Sequence, residues 1–296
     1  MNREEKLFNW DVEDKQLFTL GEGMVGVEVP NYKAIARTDN NKVLGVVKEG
    51  YQSVTNKEIE VLCTLIEDAG AKVIGHGDFT EGRKVWIQFD SDLMPRDIIS
   101  EKARDEVQSK LLLANGHAGA LSFSLLSTLV RVVCQNTFNT ALSEGDRLFK
   151  FKHTASIKEK IKDVEQHIID VGRATSEVMD VFKKMSDTIL PKKLSVETWF
   201  AELLNVKKNK ETRIYNSSGK IDTMLNYSTR GENILHKVVS AYDSEPLIKG
   251  TNWGLFNAIT NYVDHSLQSR SDDSIMFGSG NLLKQKAYSK LTRAFV

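Results

Sequence analysis

The stretch Leu111-Leu112-Leu113-Ala114-Asn115-Gly116-His117-Ala118-Gly119-Ala120-Leu121-Ser122-Phe123-Ser124-Leu125-Leu126 decides the fold class. Two apolar runs, Leu111 to Ala114 and Leu121 to Leu126, flank Asn115-Gly116-His117-Ala118-Gly119. Asn and Gly both accept positive φ, so the pattern predicts two antiparallel strands joined at that dipeptide. Working outward, Arg83 to Phe89 alternates Val85, Ile87 and Phe89 and predicts a strand, as does Ala71 to Ile74 before it. Tyr32 to Arg37 and Lys42 to Val47, split by Asp39-Asn40-Asn41, predict a further hairpin. Between these pairs Thr55-Asn56-Lys57-Glu58 is a capping box, whose hydroxyl and carboxylate satisfy the orphan amides of a helix start. It opens a helix with Ile59, Leu62, Cys63 and Ile66 on one face, and Gly70 closes it. Pro95 to Lys110 is expected to be a loop or a short exposed helix, and Val130 to Leu142 a helix. The first half is therefore expected to be α+β, a small antiparallel sheet with helices.

The second half reads as helical. Ser156-Ile157-Lys158-Glu159 is another capping box. From it Ile157, Ile161, Val164, Ile168, Val171, Val178, Phe182, Met185 and Ile189 follow 4-3 spacing, with Thr175 in the missing position, until Pro191. That is one long heptad-patterned helix, about 50 Å at 1.5 Å per residue. Its stripe either packs on helices of its own chain or drives self-association. Val196 to Leu204, Asn233 to Tyr242, Trp253 to Leu267 and Asn281 to Ala294 predict further helices, and Asn205 to Ser218 a basic loop. The expected organisation is an α+β domain over 1–150 and a helical domain over 151–296.

Among 296 residues, 40 Lys+Arg balance 40 Asp+Glu. Zero net charge excludes binding of nucleic acid by bulk charge, which needs many cations facing phosphate. The zero hides an asymmetry of −5 over residues 1–150 and +5 over residues 151–296. Cys63 and Cys134 lie in apolar segments outside any C-x-x-C pair, as expected of reduced, packed thiols. No run of 18 apolar residues and no apolar leader is present, so a cytoplasmic protein without membrane contact is expected.

The chemistry of the sequence is sparse. It has no G-x-x-x-x-G-K-[ST], no G-x-G-x-x-G after a strand and no H-E-x-x-H, so no nucleotide, metal or other cofactor is expected and no catalytic residue is assigned. A hydrolase or nuclease would use His117, His265 or Cys134; His117 has no identifiable partner, and Cys134, beside Gln135 and Asn136, lies in an apolar segment as a packed thiol does. Asp264-His265 at a helix end could hold a metal or complement the helix terminus. Arg37, Arg83, Lys84 and Arg131 in or beside strands, with Tyr51 and Trp86 nearby, are the candidate nucleic-acid contacts. Aromatics on a basic groove hold single strands without reading sequence.

Two segments stand out: Leu129-Val130-Arg131-Val132-Val133-Cys134-Gln135-Asn136-Thr137, and Thr251-Asn252-Trp253-Gly254-Leu255-Phe256-Asn257-Ala258-Ile259-Thr260-Asn261-Tyr262-Val263-Asp264-His265. With Arg37-Thr38-Asp39, Leu44-Gly45, Tyr51, Gly82-Arg83-Lys84-Val85-Trp86 and the Asn115 to Gly119 turn, they resemble a domain-of-unknown-function family described as "phage/plasmid-like protein". Ala118 departs from that pattern, which has an acidic residue there. The resemblance implies a gene of a phage, prophage or conjugative plasmid, and carries no catalytic residues across. More distantly, the order of strands and helices is similar to the annealing recombinases of the RecT, Red-beta and Erf kind, which act as rings or filaments without ATP. The leading expectation is thus an oligomeric DNA-metabolism protein of a mobile element that binds single-stranded DNA and promotes annealing. The alternative is an accessory protein that binds a host protein in anti-defence or host takeover.

Overall fold

In the computed structural model, residues 7–24, 26–132, 137–139, 150–151, 164–208, 212–215, 218, 221–224, 227–267 and 271–293 are described. They bear out the α+β class, with antiparallel sheet in the first half and helices in the second. The strands are β1 (Val12–Leu20), β2 (Gly26–Arg37), β3 (Val43–Lys48), β4 (Lys72–Phe79), β5 (Lys84–Asp90), β6 (Arg96–Ser100), β7 (Asp105–Gly116), β8 (Phe123–Arg131), β9 (Thr137–Asn139), β10 (Lys150–Phe151), β11 (Thr212–Tyr215) and β12 (Ile221–Met224). The helices are α1 (Asn56–Asp68), α2 (Val164–Asp187), α3 (Val196–Leu203), α4 (Thr229–Asp243), α5 (Asn252–Asn261), α6 (Asp272–Met276) and α7 (Ser279–Thr292). A π-helical turn, Tyr262–Ser266, continues α5.

β1, β2 and β3 form one antiparallel sheet. A seven-stranded sheet runs β10-β8-β7-β5-β4, with β6 also on β7 and β9 on β8. β7 and β8 are neighbours joined by residues 117–122, too short a link for a parallel crossover, so the hairpin read from the sequence stands. Its turn is not at Asn-Gly, however. β7 continues through Gly116, and the left-handed residue is Gly119 at φ +75°. Gly116 is needed for a different reason: a Cβ there would lie 2.4 Å from the backbone nitrogen of Leu121.

The capping box forms as read: Thr55 Oγ1 accepts from Glu58 N, and Glu58 Oε2 accepts from Thr55 N. Several expectations fail. Pro95 to Lys110 is no loop but β6 and the start of β7, because Asp105, Val107 and Ser109 alternate inward and carry period-2 burial through a charged sequence. The helix expected over Val130 to Leu142 is not found at its described residues: β8 runs to Arg131 and Thr137–Asn139 is a strand. The expected basic loop, Asn205 to Ser218, contains the strand β11, which pairs antiparallel with β12 beyond it. β1 was not anticipated. The Ser156 capping box and Cys134 lie outside the described residues.

Two compact units interleave along the chain. The first comprises Met1–Arg96, Gln108–Leu129 and Asn139–Glu177; the second comprises Asp97–Val107, Val130–Phe138 and Val178–Val296. The expected boundary at 150 falls inside the last stretch of the first unit. In that unit the Ile59, Leu62, Cys63 and Ile66 face of α1 packs with Val85, Ile87 and Phe89 of β5 and Leu111 and Leu113 of β7. In the second, Phe182 packs 4.8 Å from Trp253 and 5.3 Å from Phe256, centroid to centroid. The expected long helix is described over Val164–Asp187, and of its heptad stripe Ile168 and Val171 lie in the core of the first unit and Phe182 in that of the second, whereas Ile189 lies beyond the helix and is exposed.

Candidate functional site

The first unit builds a polar centre of two amides and an imidazole beside Trp10. The indole packs edge-on against His117, 5.6 Å between centroids, and carries the Arg37 guanidinium 4.1 Å above its ring. His117 is completely buried. The Asn115 amide nitrogen donates to the Val54 carbonyl and lies 3.3 Å from His117 Nδ1. The Asn56 amide nitrogen donates to the Trp10 carbonyl, which leaves Asn56 Oδ1 3.0 Å from His117 Nε2. These two bonds fix both amides, so Nδ1 accepts from Asn115 and Nε2 carries the proton and donates to Asn56. Tyr51 closes the group: its hydroxyl donates to the Gly116 carbonyl at 2.9 Å and accepts from Gly119 N at 3.1 Å. Burial pushes that phenol up to about 12.

The second unit builds charged centres. Arg131, at the end of β8, donates from Nε to both Asp105 oxygens at 2.6 and 2.7 Å, and from Nη1 to Glu245 at 2.8 Å. Trp253 Nε1 donates to Asp105 Oδ2 at 2.7 Å. Further along, Asp264 in the π-turn accepts from Thr137 N at 2.7 Å and pairs with Lys284 of α7, whose Nζ also donates to the Thr137 carbonyl at 2.7 Å. Burial lowers the Lys284 ammonium despite Asp264. Arg131 and Thr137 belong to one of the two distinctive segments, Trp253 and Asp264 to the other. The two centres tie these segments together, through Asp105 in one and directly between Thr137 and Asp264 in the other.

Residues 43–286 match the family described as Domain of unknown function (DUF932). This chain belongs to DUF932. No curated protein and no solved structure matches it.

In this DUF932 chain the expected contacts are spent on the fold to different degrees. Arg131 is buried between two carboxylates, which corrects its reading as a phosphate contact, since an arginine so paired presents no donor to a ligand at the surface. Arg37 is held by Asp39 at 2.9 and 2.7 Å, which keeps the guanidinium above and the carboxyl below their ordinary ranges. Trp86 stacks on Phe79 and lies over Gly75 and Gly77. Tyr51 has its hydroxyl inside the turn. Arg83 is exposed and Lys84 half-buried, at the start of β5. His117 is no accessible base, and Asp264 serves Lys284 and Thr137 rather than a metal or a helix end. Among the described residues no three His, Cys, Asp or Glu side chains gather as metal ligands, and no helix is long and apolar enough to cross a membrane.

Sequence reasoning missed one surface. Residues directly opposite one another in a ladder share a face. Tyr32 stands opposite Lys48, Val46 and Lys15 both opposite Ala34, and Val43 opposite Ala36. Tyr32, Val43 and Val46 are about half exposed, Lys15 and Lys48 are exposed, and Ala34 and Ala36 are buried between them. The DUF932 chain therefore presents an antiparallel sheet face with an aromatic, two valines and flanking lysines, on which Glu13, opposite Ala36, pairs with Lys15 at 2.7 Å. The alternation in Tyr32 to Lys48 was visible in the sequence; which parity faced water was not.

Proposed function

We propose that this DUF932 chain is a mobile-element protein of the bacterial cytoplasm that binds single-stranded DNA as an oligomer and promotes annealing without ATP. The observation that carries the reading is the β1–β3 face, where Tyr32, Val43 and Val46 lie between Lys15 and Lys48. A flat sheet with an aromatic gives bases a surface to stack on, and lysines at its margin meet phosphate. Arg83 adds an exposed cation to the same unit, and Lys42, on the β2–β3 turn, would have to exchange Glu81 for phosphate. The site is thus Tyr32, Lys15, Lys48, Lys42, Arg83 and Lys84, with Arg37, Tyr51 and Trp86 supporting it and Arg131 removed. So few cations make the affinity modest and its dependence on salt shallow, because the slope scales with the number of phosphates neutralised.

Fluorescence anisotropy with a labelled oligonucleotide at low salt tests this. Tyr32→Ala is expected to weaken binding by about 1–3 kcal/mol, the scale of one base stacked on an aromatic. Absence of binding by the wild type at micromolar protein sinks the reading. A second reading, capture of a host protein, draws on the same face, since Val43 and Val46 are apolar and Arg37 and Lys42 are already matched by Asp39 and Glu81. One stoichiometric partner from host lysate, lost with Val46→Asp, together with no DNA affinity, selects it.

A further inference from the structure

The β1–β3 face carries anions as well as cations, and the strand registers place them in rows across the sheet. Glu13, Ala36 and Val43 form one row, Lys15, Ala34 and Val46 the next, and Tyr32 and Lys48 another. Lys48 therefore stands directly opposite Tyr32, with Lys15 on the row of Ala34 and Val46. Glu13 lies toward the other end, on the row of Val43.

The cations differ in what already holds them. Glu13 Oε1 holds the Lys15 ammonium at 2.7 Å, with both side chains nearly half exposed. Beside Val43, on the β2–β3 turn, Lys42 is held in the same way by Glu81. Lys48 is exposed and has no carboxylate partner among the described residues. A carboxylate and a phosphate oxygen compete for the same ammonium. An exposed ion pair is weak, so a phosphate can displace the carboxylate, but the exchange subtracts from binding.

We propose that Glu13 and Glu81 are internal stand-ins for phosphate, each occupying a cation that a docking strand needs and leaving it when the strand arrives. This rests on the DNA-binding reading and gives it an order and a ligand class. Docking starts at the Tyr32 and Lys48 end, where one base stacks and one phosphate is met. It extends to Lys15 and Lys42 only for a ligand with enough phosphates to replace both carboxylates. The ligand is therefore a polyphosphate strand, and a mononucleotide gains Lys48 alone.

Fluorescence anisotropy of the full chain with labelled oligo-dT at low salt tests this. Lys48→Gln is expected to lose more affinity than Lys15→Gln or Lys42→Gln. Glu13→Gln and Glu81→Gln are each expected to tighten binding by about two- to fivefold, the worth of an exposed ion pair. Glu22→Gln, at the exposed tip between β1 and β2, removes the same charge without freeing a cation of the face and is expected to give less. The gain from Glu13→Gln is expected to vanish when Lys15→Gln is added, and that from Glu81→Gln when Lys42→Gln is added. All are surface changes, with folding checked by circular dichroism. A gain no larger than that of Glu22→Gln, or one that survives loss of its lysine, overturns the proposal and leaves DNA binding in place. Absence of binding by the wild type overturns the DNA-binding reading and takes the proposal with it.

Discussion

The two units solve one problem, how to bury polar side chains, in opposite ways. The first uses neutral amides: Asn56, His117 and Asn115 exchange hydrogen bonds beside Trp10 with no formal charge in the group. The second uses ions, with Arg131 between Asp105 and Glu245, and Lys284 on Asp264. A neutral buried group stripped of its partner costs about 1–3 kcal/mol in uncompensated desolvation, whereas a buried charge stripped of its partner costs more. The two segments singled out in the sequence, residues 129–137 and 251–265, hold Arg131, Trp253 and Asp264 of the ionic unit. An arginine in a strand therefore says nothing by itself about ligands.

The largest expected effect follows from the ionic unit. Asp105→Asn keeps the shape and leaves an acceptor for Trp253 Nε1, but takes the buried negative charge from Arg131 Nε. Urea unfolding is expected to show a loss of about 3–5 kcal/mol. In the neutral unit Asn56→Ala removes the acceptor of His117 Nε2 and the donor to the Trp10 carbonyl. Its expected cost is about 2–3 kcal/mol. If Asn56→Ala proves the more damaging of the two, the contrast between the units is wrong.

What the sequence made legible was local. The capping box at Thr55 and the alternation of Val85, Ile87 and Phe89 are set by neighbours a few residues away, and they form as read. Gly116 was marked for the right hairpin and the wrong reason, since its close approach to Leu121 depends on how β8 returns. Asp105 looked like part of a charged loop because its partners Arg131 and Trp253 lie 26 and 148 residues away. The same distance hid the burial of Arg131. Trp10, on which Arg37 and His117 converge, carried no local pattern. The exposed β1–β3 face was missed because a period-2 run fixes alternation but not which parity meets a core.

The smallest expected effect concerns Tyr51, which the neutral unit buries, as the second unit buries Tyr288. Burial pushes both phenols up to about 12. Since the folded value lies above the ordinary 10.0, the folded state favours the protonated phenol. The stability this contributes is complete below pH 10 and is lost as pH rises from 10 to about 12. Tyr51→Phe removes the hydroxyl that spans Gly116 and Gly119, at an expected cost of about 1 kcal/mol near neutrality. The phenylalanine cannot ionise, so its deficit is expected to shrink above pH 10, as the wild type alone pays to keep a proton on Tyr51. Paired urea titrations at pH 8 and pH 11 check this. A deficit that stays constant between them shows that Tyr51 is not held protonated by the fold, and leaves Tyr288 to carry any alkaline loss from the second unit alone.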